Sequence, residues 1–194
     1  MLIDEKQITL KDGRKLLLRS PVAEDAQAVL TNLILTFKES YRNMNMKADA
    51  WEAMTVEEEA KILRGVAESD SQFMIAAFSG ERIVGMLGIW GGGKGFTRHN
   101  GKLGMSMQRE FQGAGLGSQL MQTAVAFAEK SEVLHRIELT VRTFNEAGIR
   151  LYESSGFRRV GELKECALVD GEFVDEFMYE LVLKKLNSER NLGV

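Results

Sequence analysis

Cysteine and proline occur once each among the 194 residues, and histidine only twice. The single thiol, Cys166, excludes an internal disulfide framework. Two histidines leave little from which to build a zinc site, so no metal is expected. No apolar run approaches the roughly 18 residues that a membrane helix needs; the longest, residues 83–90, has the length of a strand. An excess of one charge is missing too, since 25 Lys and Arg stand against 28 Asp and Glu, a formal net charge of -3. That balance gives no general attraction to nucleic acid or to an anionic membrane. The opening residues are polar and of mixed charge, which predicts no secretory signal and a soluble, cytoplasmic chain.

Hydrophobic residues make up 44% of the chain, and no Pro- or Ser-rich linker or repeat divides it. One domain over residues 1–194 with one sizeable core is therefore expected. Glycine, at 19 residues, falls in two clusters, at 91–95 and 113–117, and otherwise at isolated positions such as turns.

Hydrophobic periodicity orders the elements. Residues 14–20 read as a first strand, followed by a helix opening at Pro21 with Ser20 as its cap. Ala26, Val29, Leu30, Leu33, Ile34 and Phe37 form its apolar stripe. Thr55 and Glu58 have the spacing of a capping box opening a second helix. Strands are predicted over 72–79, 82–90 and 102–108, a helix over 116–130, a strand over 136–142 and a short helix over 146–155. A final hairpin turns at Asp170-Gly171. Three consecutive strands and a terminal hairpin imply a mixed, mostly antiparallel α/β (α+β) architecture rather than a doubly wound sheet.

The chemistry has to be sought in the glycines. Residues 88–94 fit most of a P-loop, but Gly95 stands where a metal-ligating Ser or Thr is needed and no amphipathic helix follows. A mobile hairpin loop is the better reading. In the second cluster, Gln112, Gly113, Ala114, Gly115, Leu116 and Gly117 lie between a strand and the start of a helix. Amides unobstructed by side chains can there point at a phosphate that the helix dipole also favours. A ligand-free turn has the same sequence requirements.

Gln112-x-x-Gly115-x-Gly117 is followed, one strand later, by Asn145, Leu151, Tyr152, Gly156 and Phe157. With these paired motifs the sequence resembles the GNAT superfamily of N-acetyltransferases over about residues 14–183. The first motif resembles that superfamily's pyrophosphate loop and the second its N-terminal-Asn, Leu-Tyr, Gly-Phe helix. The resemblance implies a mixed, mostly antiparallel seven-stranded sheet flanked by about four helices, with acetyl-CoA as cosubstrate and a primary amine as acceptor. It implies that the backbone around Gln112, Gly113, Ala114, Gly115, Gly117 and Ser118 holds the pyrophosphate. Met105 and Met107 would offer a strand edge to the pantetheine arm, and Asn145 would contact the cofactor's amides. Tyr152 would donate a proton to the departing thiolate, a role open to a phenol that stays protonated at neutral pH. Read from the residues alone, Tyr152 is the core aromatic that a short helix usually carries.

The base that deprotonates the amine is left open among Glu138, His99 and His135, each of which has an ordinary structural reading. Lys102 stands where related sequences carry an acid. Met44, Met46, Trp51 and Met54 are either pocket or core, and Glu57, Glu58 and Glu59 suit a helix N-terminus whatever the substrate. A non-catalytic CoA-binding protein of the same fold is the alternative function. The terminal strand, with Phe173, Phe177, Tyr179 and Leu181 on one face, suggests a homodimer contact.

Overall fold

The computed structural model describes residues 1–91 and 95–183. The strands are β1 (Lys6–Thr9), β2 (Lys15–Arg19), β3 (Phe73–Ser79), β4 (Arg82–Gly91), β5 (Asn100–Met107), β6 (Arg136–Arg142), β7 (Arg158–Val169) and β8 (Glu172–Val182). The helices are α1 (Ala26–Glu39), α2 (Asp49–Glu52), α3 (Val56–Glu68), α4 (Leu116–Glu129) and α5 (Glu146–Ser154). The strands form one sheet in the order β1-β2-β3-β4-β5-β6-β8-β7. Every neighbouring pair is antiparallel except β5 and β6.

The sheet has eight strands where seven were expected, because residues 6–9 form an edge strand. Only Ile8 of β1 is buried, so its four residues carry almost no periodicity to read. The strand turns back onto β2 through Gly13, whose φ of 87° is the left-handed conformation that glycine adopts at low cost. A fifth helix, the four-residue α2, lies in the segment between the two predicted N-terminal helices.

The first helix also starts later than its sequence suggests. A 3-10 turn over Ala23–Asp25 precedes α1, and Ser20 does not cap it. The Ser20 hydroxyl instead accepts from the Ile3 N–H at 2.9 Å and donates to the Met74 carbonyl at 2.8 Å. Asp25 does the local work, accepting from the Val22 N–H at 2.8 Å and pairing with Arg19. The α3 start matches the capping box: Thr55 accepts from the Glu58 N–H, whose carboxylate accepts from the Thr55 N–H.

Apolar side chains fill both faces of the sheet. On one face Leu18, Phe73, Ile75, Leu87 and Ile89 pack with Leu116, Leu120 and Met121 of α4 and with Tyr152 of α5. On the other, Met74, Ala76 and Met86 pack with Ala26 and Val29 of α1 and Ala60, Leu63 and Val66 of α3. Of the aromatic face expected on β8, Tyr179 is 1% exposed, and Phe177 and Leu181 pack against the core. Phe173 lies beyond the part of β8 that pairs with β6 and is 66% exposed. Part of the glycine-rich 91–95 loop, residues 92–94, lies outside the described residues, as do residues 184–194.

Candidate active site

The parallel pair sets the position of the site. β5 pairs with β4 from Gly101 to Met107, but with β6 only over residues 100–102. Beyond Lys102 the two strands part, leaving the β6-facing edge of residues 103–107 without a sheet partner. A cleft of about 820 Å³ enters this gap, within the size range of small-molecule sites.

Met105, Met107, Gln112, Gly113, Gly115, Gly117, Ser118, Asn145 and Tyr152 all line it. Ala114 does not; its carbonyl accepts from the Lys11 N–H at 3.0 Å. Gly113 and Gly115 have φ of 75° and 93°, and Gly115 is the N-cap of α4. Side-chain-bearing residues rarely adopt such φ. Among the described residues the amides of Gly113, Ala114 and Gly115 have no hydrogen-bond partner. Open donors at the positive end of a 14-residue helix fit a pyrophosphate without rearrangement. Gly117 serves contact rather than conformation, since a Cβ there would lie 3.0 Å from both Leu151 Cδ2 and Met107 Cε.

Asn145 is the N-cap of α5, its Oδ1 accepting from the Gly148 N–H at 3.0 Å. That bond leaves its Nδ2 as the group available to a ligand. A Cβ on Gly148 would come within 2.8 Å of the same Nδ2, so the cap requires glycine. Tyr152 is 8% exposed and its hydroxyl has no hydrogen-bond partner among the described residues. Burial pushes its pKa up to about 12, so the phenol is protonated at any physiological pH.

The three expected bases lie elsewhere. Glu138 is paired with Arg136 at 2.5 Å, and His99 and His135 stand beside each other at 6.2 Å between ring centroids. None of them lines the cleft, and neither does Lys102. Two lining residues escaped the sequence reading. Lys11, delivered by the β1–β2 turn, lays its side chain against Gly115. No signal in its short polar neighbourhood could have found it. Glu59 is 2% exposed and is the cleft's one lining carboxylate among the described residues. It was legible, because it shares the 59–63–66 stripe of α3 with Leu63 and Val66.

The loop beside the cleft is tied down by a buried ion pair. Arg142, 3% exposed, bonds Glu176 at 2.5 Å and the Met44 carbonyl at 3.1 Å. No group of His, Cys, Asp and Glu among the described residues could hold a metal ion, and no helix among them is long and apolar enough to cross a membrane.

The sequence profile of the Acetyltransferase (GNAT) family matches residues 34–157. The chain belongs to the GNAT family. Members of this family are acyltransferases that use acetyl-CoA as cosubstrate. The chain is 30% identical to the L-amino acid N-acetyltransferase AaaT of Escherichia coli over 104 residues, 54% of this chain and 64% of the relative. It is 27% identical to an uncharacterized N-acetyltransferase, YokL, of Bacillus subtilis over 110 residues, 56% of this chain and 60% of that protein. The chain thus spans less than two thirds of the curated relatives it matches. A GNAT-family acetyltransferase from Streptococcus pneumoniae superposes with a TM-score of 0.82 at 30% identity, covering 86% of this chain and 99% of that one. The fold is shared as well with a ribosomal L7/L12 α-N-protein acetyltransferase in complex with coenzyme A, at a TM-score of 0.69 and 20% identity over 87% of this chain and 94% of that one.

Proposed function

We propose that the protein transfers the acetyl group of acetyl-CoA to a primary amine, with Tyr152 as the general acid. The observation that carries this reading is a single cleft in which the unpaired amides of Gly113 and Gly115, the open β5 edge and the Tyr152 hydroxyl all meet. The loop amides around Gln112, Gly113, Gly115, Gly117 and Ser118 bind the pyrophosphate, supported by the α4 dipole. Lys11 adds a positive charge beside them. The backbone at Met105 and Met107 extends the sheet hydrogen-bonding pattern to the pantetheine arm, and an N–H fixed on that edge stabilises the carbonyl oxygen as it gains charge. Asn145 Nδ2 steadies the arm from the α5 start.

Bound there, acetyl-CoA supplies an activated carbonyl that the neutral amine attacks directly. Tyr152 donates its hydroxyl proton to the thiolate that leaves. A phenol is a weak acid, but a desolvated thiolate is a better base than a solvated one, and the donor needs only to be close and protonated. The amino-acid and ribosomal-protein acetyltransferases among the similar proteins support an amine as acceptor.

Tyr152→Phe tests the assignment. Turnover is expected to fall about 100-fold or more, while stabilisation by acetyl-CoA is unchanged. Undiminished turnover in a folded variant removes Tyr152 from the mechanism. A non-catalytic CoA-binding protein is the reading left if acetyl-CoA binds and no amine is acetylated.

A further inference from the structure

The face of the sheet opposite α4 carries features that cofactor binding does not use. Leu103, Met105 and Met107 of β5 pack toward the α4 side, so Gly104 and Ser106, by the alternation of a strand, point to the α1–α3 side. Gly104 pairs with Gly88, which pairs in turn with Met74. Two adjacent strands thus present glycine side by side, and a Cβ on Gly104 would meet nothing within 4 Å. The Trp90 indole fills the space over Gly88, so the open depression at the cleft lies over Gly104. Met74, Met86 and Trp90, whose indole leans over Gly88, border it. Glu59 and Ile62, one turn apart on α3, line the same cleft from above.

Glu59 is out of place by the ordinary rules of burial. A carboxylate 2% exposed is normally paired, yet among the described residues its side chain has no hydrogen bond or ion pair, and burial is the one influence on its carboxyl. The two cations that line the cleft, Lys11 and Arg150, belong to the opposite end, Lys11 beside Gly115 and Arg150 on α5 in a pair with Glu146. A buried, unpaired carboxylate beside an apolar depression has the composition of a site for a cation with an apolar body. Burial alone also pushes its pKa upward, since the charged form is the one that loses hydration.

We propose that Glu59 receives the acceptor, pairing with a primary ammonium group whose compact apolar substituent rests in the depression over Gly104, and takes the proton that makes the nitrogen nucleophilic. This deepens the acetyltransferase reading and rests on it. The proton balance closes without a further reagent. One ammonium proton passes to Glu59 and the nitrogen lone pair forms the C–N bond. As the C–S bond breaks, the sulfur takes the Tyr152 proton. Glu59 releases the first proton to solvent and then takes the second nitrogen proton and releases it likewise, the tyrosinate regains one proton from solvent, and one proton in all is released.

The test uses the full chain, with 2-phenylethylamine as the basic acceptor and phenylacetic hydrazide as an apolar nucleophile that is uncharged at neutral pH. Thiol release from acetyl-CoA and thermal unfolding in the presence of CoA are both followed. For the wild type, 2-phenylethylamine is acetylated and raises the unfolding midpoint of the CoA-bound protein, whereas 2-phenylethanol does not raise it. Glu59→Gln is expected to keep the CoA shift, lose the amine shift and lose about 100-fold or more in turnover of the amine, but less than about 10-fold with the hydrazide. Gly104→Val, which fills open space, is expected to keep the CoA shift and to raise KM for 2-phenylethylamine more than for methylamine. That variant carries the test if Glu59→Gln fails to fold. Equal losses with amine and hydrazide, unchanged amine turnover in Glu59→Gln, or an unaffected KM in Gly104→Val overturn the proposal. So does a wild type that binds CoA but neither binds nor acetylates 2-phenylethylamine, which leaves the cofactor reading standing. Absence of any CoA shift overturns the acetyltransferase reading itself.

Discussion

At the scale of single residues, Glu59 and Tyr152 show burial used for opposite ends. Tyr152 is neutral, and burial keeps it so, with a pKa near 12. A decline in rate at moderately alkaline pH is therefore not expected to come from its ionisation. For Glu59 burial is unfavourable whenever the carboxyl is charged. Its folded-state pKa is raised above the unfolded value, so the protonated form favours folding. That contribution is fully present below the unfolded carboxyl range and is lost as pH rises through the raised folded value. Glu59→Gln cannot ionise and escapes the loss. In urea titrations the variant is expected to match the wild type near pH 4 and to be the more stable protein at pH 8. A wild type that is more stable at pH 8 would mean that Glu59 has a stabilising partner in the folded chain. Function and stability therefore pull against each other at this residue.

At the scale of elements, the α4 start and the β5–β6 parting make the site. Gly115→Ala forces a Cβ into a φ of 93°; left-handed strain of this kind costs about 1–2 kcal/mol. Weaker stabilisation by acetyl-CoA is expected along with that loss of stability in urea unfolding. Lost stability with undiminished acetyl-CoA stabilisation would separate the loop from the cofactor. The Arg142–Glu176 pair behaves differently. Breaking a buried pair from one side leaves an uncompensated charge and costs about 3–5 kcal/mol. Arg142→Met alone is expected to destabilise on that scale, and Arg142→Met with Glu176→Leu markedly less, as measured by a double-mutant cycle in urea. Additive losses would show that the two residues act independently.

These same elements show what the sequence could disclose. Long apolar strands such as β3 and β4, the capping box of α3 and the hairpin at Asp170-Gly171 announce themselves through periodicity and turn chemistry. β1 does not, because one buried Ile8 in four residues makes no pattern. Ser20 looked like a cap because its type and position were right, yet its hydroxyl is taken by Ile3 and Met74. The turn that opens α4 was legible since glycine at φ of 75° and 93° has few substitutes. Glu59 was legible from the stripe it shares with Leu63 and Val66, although Glu57 and Glu58 beside it face solvent, and Lys11 reaches the site only through tertiary folding.

At the scale of the whole molecule, two helical layers on one sheet give two chemically different approaches to one cleft. The α4–α5 side offers open amides and positive charge; the α1–α3 side offers a carboxylate and apolar walls. Both layers share the strands of one sheet, so we propose that residues 1–183 unfold as a single domain. Tryptophan fluorescence, which reports Trp51 and Trp90 on the α1–α3 side, and far-UV circular dichroism are expected to give coincident transitions. Separate midpoints would show two independent units. Phe173 and Leu168, exposed by 66% and 64% at the hairpin tip, are apolar surface available for a homodimer contact. A dimeric mass at micromolar concentration is the corresponding expectation, and a monomeric mass would contradict it.

Whether the cleft holds acetyl-CoA is decided by thermal unfolding with acetyl-CoA, using ATP as control. At 100 times its dissociation constant a ligand that binds only the folded state adds about 2.7 kcal/mol, a rise of several degrees in midpoint for a domain of this size. The account requires that rise with acetyl-CoA and none with ATP. No shift at millimolar acetyl-CoA, or an equal shift with ATP, would contradict it.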